Sequence, residues 1–94
     1  MDYISGEEVR LWDRVEVWRG SLGIVVVSLD TDEFSPAFPK SSWEHLGRGV
    51  LIDTEGGGLI HYDSADLELR LVSRGGPPTK EEWDHLRREQ EKRR

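Results

Sequence analysis

Residues 14–29 read RVEVWRGSLGIVVVSL, and the polar and apolar positions in this stretch change period halfway along. Val15 and Val17 alternate with Arg14, Glu16 and Trp18, the period of a half-buried strand. Ile24, Val25, Val26 and Val27 form an unbroken β-branched run, suited to a strand covered on both faces. Arg19-Gly20-Ser21-Leu22-Gly23 between them is short enough for a hairpin and carries glycines that accept positive φ. The pattern predicts a first strand over 13–18 and a second over 23–29.

Alternation returns further on. Val50 and Ile52 face one way and Leu51 and Asp53 the other, which predicts a third strand over 49–54. Glu55-Gly56-Gly57-Gly58 reads as a plain hairpin turn into a fourth strand over 59–62. After the compact turn Asp63-Ser64-Ala65-Asp66, Leu67, Leu69 and Leu71 alternate with Glu68, Arg70 and Val72, predicting a one-sided fifth strand over 67–72. Residues 30–42, DTDEFSPAFPKSS, hold two prolines and several small polar residues and read as a long excursion, not a strand. Ser41 or Ser42 then caps a helical turn, SSWEHL, that stops at Gly47 and places Trp43 and Leu46 on one face.

The ends of the chain differ from the middle. Residues 1–12 form a lead-in that closes on Leu11 and Trp12. Gly75-Gly76-Pro77-Pro78 breaks the pattern as a linker, and Thr79-Lys80-Glu81-Glu82 matches a capping box that starts a helix running to about Arg93. Asp84/Arg88 and Glu89/Arg93 support that helix at i,i+4, and only Trp83 and Leu86 give it an apolar face, so it docks by its first turns. The organisation expected is a β domain over 1–74, a linker over 75–78 and a charged helix over 79–94.

Composition narrows the function classes. Ninety-four residues make one small domain whose four tryptophans supply much of its apolar area. With no cysteine, disulfides, thiolate metal sites and a cysteine nucleophile are excluded. The lead-in is acidic without an apolar run, and the longest aliphatic run is four residues, so a signal peptide and a membrane span are not expected and the cytoplasm is the expected compartment. Net charge is −6: residues 1–74 carry fourteen acids against seven Lys and Arg, and residues 75–94 carry five acids against six. An acidic body repels nucleic acid and anionic membranes and favours a basic partner.

The order of five short strands, a long loop after the second, a glycine hairpin between the third and fourth and a compact turn before the fifth resembles the SH3-like small β-barrel. RVEVWRGSLGIVVV is similar to the opening hairpin of KOW-type barrels, and the chain is also similar to small bacterial proteins that carry a V-S-L-D-T-D-E-F-S loop and an L-I-H-Y strand. The resemblance implies a five-stranded barrel, with the helical turn in its second loop and the helix at its C-terminus. KOW-type barrels often meet RNA or ribosomal partners through basic loops. Here the matching turn offers Arg19 alone on an acidic body, which argues against direct nucleic-acid binding.

Six residues in the long loop stand out as candidates for partner binding. Asp30, Asp32 and Glu33 would steer a basic protein partner or lie solvated; they lack the glycine and distal glutamate of a calcium loop. Phe34, Phe38 and Trp43 are either packed beneath the loop or displayed as anchors. His45, His61 and His85 are scattered without ligand spacing, and no serine sits in a nucleophile elbow, so no metal, cofactor or catalytic residue is expected. Arg87, Arg88, Lys92, Arg93 and Arg94, interleaved with Glu89 and Glu91, read as a solvated helix face or as a contact to nucleic acid or to the chain's own acidic body. The function expected is a non-enzymatic binding module for a protein partner. The rivals are an inhibitor that mimics nucleic-acid charge, of anti-CRISPR, anti-defence or toxin-immunity type, and a KOW-like RNA-associated barrel; the oligomeric state stays open.

Overall fold

The computed structural model describes residues 1–92, Arg19 by its backbone only. Six strands form one antiparallel sheet: β1 (Arg14–Glu16), β2 (Leu22–Ser28), β3 (Glu33–Phe34), β4 (Val50–Thr54), β5 (Gly58–Tyr62) and β6 (Arg70–Ser73). Their order is β5-β4-β2-β1-β6, with β3 pairing β2 beside that path. Among the described residues there are also two helices, α1 (Lys40–Trp43) and α2 (Lys80–Lys92), with short 3-10 turns at Trp18–Gly20 and Glu44–Leu46.

The sheet is organised about β2. One side of β2 pairs with β4 from Gly23↔Thr54 to Ser28↔Val50; the other is shared between β1 at its start and β3 at its end. Between those two, the Trp12 NH donates to the Val25 carbonyl at 2.9 Å, the Val25 NH to the Asp13 carbonyl at 2.9 Å and the Ser35 NH to the Val26 carbonyl at 3.3 Å. Partners thus line both edges of β2 where it is buried from Gly23 to Ser28. A bulge between Val25 and Val27 in the β2–β4 ladder breaks the alternation. It leaves Val25 in the cluster of Tyr3, Val9, Val15, Val17, Val50, Ile52 and Leu69, while both Val26 and Val27 join Leu51 in a second cluster.

Helix α2 begins as its sequence requires, with the Glu82 NH donating to Thr79 Oγ1 at 3.2 Å. The reciprocal half of the capping box does not form, because the Glu82 carboxylate is taken by Arg14: Nε to Oε2 and Nη2 to Oε1, each 2.8 Å. The same guanidinium donates through Nη1 to the carbonyls of Trp12, at 2.5 Å, and Gly76, at 2.8 Å. One arginine thus ties lead-in, linker and helix together. Contacts continue to Gln90, well past the first turns, and the helix end at Arg93 and its pair with Glu89 lie outside the described residues.

Several expectations are corrected. The long excursion contains a strand, since Glu33 and Phe34 pair with Ser28 and Val27. The helical turn starts at Lys40 with Pro39 as its N-cap and no side-chain cap from Ser41 or Ser42. The last strand begins at Arg70 and not Leu67: the Asp66 carboxylate accepts the Glu68 NH at 2.8 Å and the Asp66 carbonyl the Leu69 NH at 3.1 Å, so local turn bonds outcompete the ladder. Leu69 still reaches the core, whereas Leu67 is 81% exposed. The sheet stays open, with β5 and β6 at opposite edges, so the described strands establish a mainly-β antiparallel sheet and not the closure that the expected five-stranded barrel requires. No helix among the described residues is long and apolar enough to cross a membrane.

Candidate functional site

The loop after β2 divides into an acidic part and an aromatic part with different roles. Asp30 pairs with the Met1 amino group at 2.6 Å and accepts the Gly49 NH at 3.2 Å; the hydrogen bond from the amino group chiefly holds its carboxyl below the ordinary range. Asp32, at φ +55°, pairs with Lys40 at 3.0 Å on the open surface. Glu33 accepts Arg10 Nε at 2.8 Å and Nη2 at 3.1 Å, Thr31 Oγ1 at 2.6 Å and the Leu11 NH at 3.3 Å. The Arg10 hydrogen bond is the main reason its pKa falls to about 2. Each of the three acids therefore meets a base of the same chain and braces the loop.

Phe34, Phe38 and Trp43 are half-buried and pack on Val26, Val27 and Leu51. Phe38 and Trp43 tilt together with centroids 5.6 Å apart, and Trp43 stacks on His45 at 6.2 Å. Ser35 fixes the loop to the sheet, its hydroxyl donating to the Val26 carbonyl at 2.7 Å, and the Phe38 NH returns to the Ser35 carbonyl at 2.9 Å. Ser35 to Phe38 is thereby a tight turn that holds Pro36 and Ala37 out as a wall.

That wall forms one side of a cleft of about 490 Å³. Facing it are Leu11 and Trp12 of the lead-in, Pro77 of the linker and Trp83 of α2. The two tryptophans meet edge to face, centroids 6.3 Å apart at 73°. Trp12 sits at φ +71°, a conformation that strains a bulky residue and persists only where its surroundings impose it. The constraint is visible: the Trp12 NH is held by Val25 and its carbonyl by Arg14.

Asp53 of β4 and Arg87 of α2 supply the charges of the cleft. Asp53 is 8% exposed. Its Oδ1 accepts Gln90 Nε2 at 2.6 Å, and the same nitrogen donates to the Thr54 carbonyl at 2.9 Å. Oδ2 has no hydrogen-bond partner among the described residues. Burial raises the carboxyl above its ordinary range, opposed first by the Gln90 hydrogen bond and then by the Arg87 charge.

Of the six residues singled out in the sequence, Phe34 and Phe38 line this cleft, Trp43 supports it from behind, and Asp30, Asp32 and Glu33 lie outside it. Sequence reading missed Trp12, Asp53, Trp83 and Arg87 as members of one site. A signal existed for Asp53, the lone charged residue in the strand VLIDT, since an acid at a covered position is rarely left without a task. Arg87, expected on a solvated helix face or as a contact, is exposed and also borders the cleft, while Arg93 and Arg94 of that face lie outside the described residues. The histidines remain apart: His61 Nε2 lies 2.7 Å from the Arg48 carbonyl, His85 is 3.9 Å from Glu55, and no group of three or more His, Asp or Glu that could hold a metal occurs among the described residues. Comparison with protein-family models, with curated proteins and with solved structures finds no match for this chain.

Proposed function

We propose that this chain is a non-enzymatic binding module for a protein partner, with the cleft between the Ser35–Phe38 turn and α2 as its contact site. The observation that carries the reading is the aromatic cleft itself. At about 490 Å³ it falls in the range of ligand sites, and its walls are the ring types that dominate binding hot spots. Clamped backbone on both sides supports a preformed site that loses little entropy on binding.

The acids that the sequence marked as a steering surface enter this reading as braces. Long-range attraction of a basic partner comes from the whole −6 chain instead. Internal pairing of Asp30, Asp32 and Glu33 favours the module over a charge-mimicking inhibitor, which needs carboxylates free to enter a phosphate channel. The strand order also supports an SH3-like scaffold: β1, β2, β4 and β5 meander, and β6 returns to β1.

Affinity capture from source lysate tests the proposal. Ala37 is exposed and borders the cleft, so Ala37→Arg obstructs it without removing core packing. A protein partner held by the wild type, retained by Asp32→Ala and lost by Ala37→Arg is the expected result. Capture unchanged by Ala37→Arg, or loss of the partner with Asp32→Ala alone, overturns it.

A further inference from the structure

We infer that the cleft receives the guanidinium of an arginine side chain of the partner, seated between the aromatic walls and hydrogen-bonded to Asp53. This inference rests on the binding-module reading and specifies what the module recognises.

Asp53, 8% exposed as a residue, borders a cavity, and only one of its carboxylate oxygens is occupied among the described residues. A carboxylate offers about four lone-pair positions, and Gln90 uses one. Oδ2 remains for a donor arriving from the cleft that Asp53 borders. A guanidinium presents parallel N–H bonds in the geometry that a carboxylate accepts, and its flat faces stack on aromatic rings. Trp12, Phe34, Phe38 and Trp83 supply such rings within the same cavity. A desolvated carboxylate gains most from a ligand that brings a positive charge, and the surplus of acids across the chain attracts the same sign.

Arg87 is the opposing observation, and it makes the inference decidable. It places a positive charge at the cleft, and it is exposed and so screened by solvent. If the natural occupant is a cation, Arg87 weakens its binding; if the occupant is an anion, Arg87 is its partner. The sign of one substitution separates the two.

The probes are benzamidine, benzamide and benzoate, three molecules of nearly one shape carrying positive, zero and negative charge. Binding to the full chain is followed through the indole N–H resonances of Trp12 and Trp83. Benzamidine is expected to shift both saturably, with benzamide weaker by about 10-fold or more, as loss of a desolvated charge pair implies, and benzoate weaker still. Asp53→Asn is expected to reduce benzamidine affinity by about 10-fold or more, and Arg87→Ala to increase it. Should Asp53→Asn fail to fold, Arg87→Glu at its exposed position keeps the test open, since it must strengthen benzamidine binding over wild type. Benzoate binding best and depending on Arg87 overturns the inference, as does benzamidine binding that ignores Asp53 or Arg87. Absence of any saturable shift with benzamidine overturns it too, and leaves the underlying module to its own test by Ala37→Arg capture.

Discussion

The two faces of the sheet are made by the same strands and finished by different means. On one face, eight side chains from Tyr3 to Leu69 close a cluster in which none is more than 3% exposed. These are mostly valines delivered by strand alternation, with Tyr3 and Val9 of the lead-in as the lid. On the other, Val26, Val27 and Leu51 form the buried floor of a second cluster, and Trp12, Phe34, Phe38, Trp43 and Trp83 lean on them half-covered. Small β-branched residues at a two-residue period interdigitate and seal; large rings arriving from loops and one helix reach a common floor but do not fill the space between them. The first face holds the sheet together and the second leaves a cleft.

Truncation of a ring or an aliphatic chain is the hardest test of that contrast. Ile52→Ala on the sealed face is expected to cost about 2–5 kcal/mol, the range for a fully buried isoleucine whose cavity cannot collapse. Phe38→Ala removes more atoms, yet its ring already borders open space, so its cost is expected to be the smaller of the two. Urea unfolding of both variants decides the matter, and a larger loss at Phe38 would show that the aromatic face carries the stability.

A polar deletion on the sealed face ranks next. Tyr3 donates its hydroxyl to Asp13 Oδ2 at 2.6 Å, and burial is the first cause that drives the phenol far above its ordinary range, followed by this bond to Asp13. Tyr3→Phe leaves the 1%-exposed Asp13 with the Arg10 NH, at 3.0 Å, on that same oxygen and loses the hydroxyl donor. The expected cost is about 1–3 kcal/mol, read from the same unfolding experiment. A neutral Tyr3→Phe would mean that this contact is replaced by water and that the face is less sealed than its burial indicates.

The sealed face was largely legible in the sequence and the cleft was not. Val15, Val17, Val50 and Ile52 announce their face by alternation, and the run 24–27 announces a strand covered on both sides, because both signals are local. The bulge that turns Val26 and Val27 to one face is set by the ladder with β4, which no local period records. Leu67, Leu69 and Leu71 alternate well, yet the Asp66 turn takes the first of them out of the sheet. The cleft is assembled from five short segments, at Leu11–Trp12, Phe34–Phe38, Asp53, Pro77 and Trp83–Arg87, whose meeting depends on the left-handed Trp12 and on the Arg14 clamp. Sequence reading found two of its rings because aromatics in a polar loop are conspicuous. It placed the acids beside them in the same surface, since it had no means of seeing Arg10, Lys40 and the amino terminus waiting for them.

The smallest effects separate two carboxylates that the two kinds of surroundings push in opposite directions. Glu33, braced by Arg10, has its pKa lowered from 4.5 to about 2, so its contribution to stability is complete above 4.5 and is lost as pH falls from there toward 2. Asp53, desolvated at the cleft, has its pKa raised above 3.8, so ionising it opposes folding, and stability is regained as pH falls through the raised value toward 3.8. Glu33→Gln is therefore expected to destabilise at neutral pH, with the difference from wild type vanishing near pH 2 as Glu33 itself protonates. Asp53→Asn is expected to stabilise at neutral pH, with its difference vanishing below 3.8. Unfolding midpoints of wild type and both variants across that range read the two signs directly. Two variants that both destabilise at neutral pH would mean that Asp53 is as well satisfied as Glu33, and that its charge has no need of a partner from the cleft.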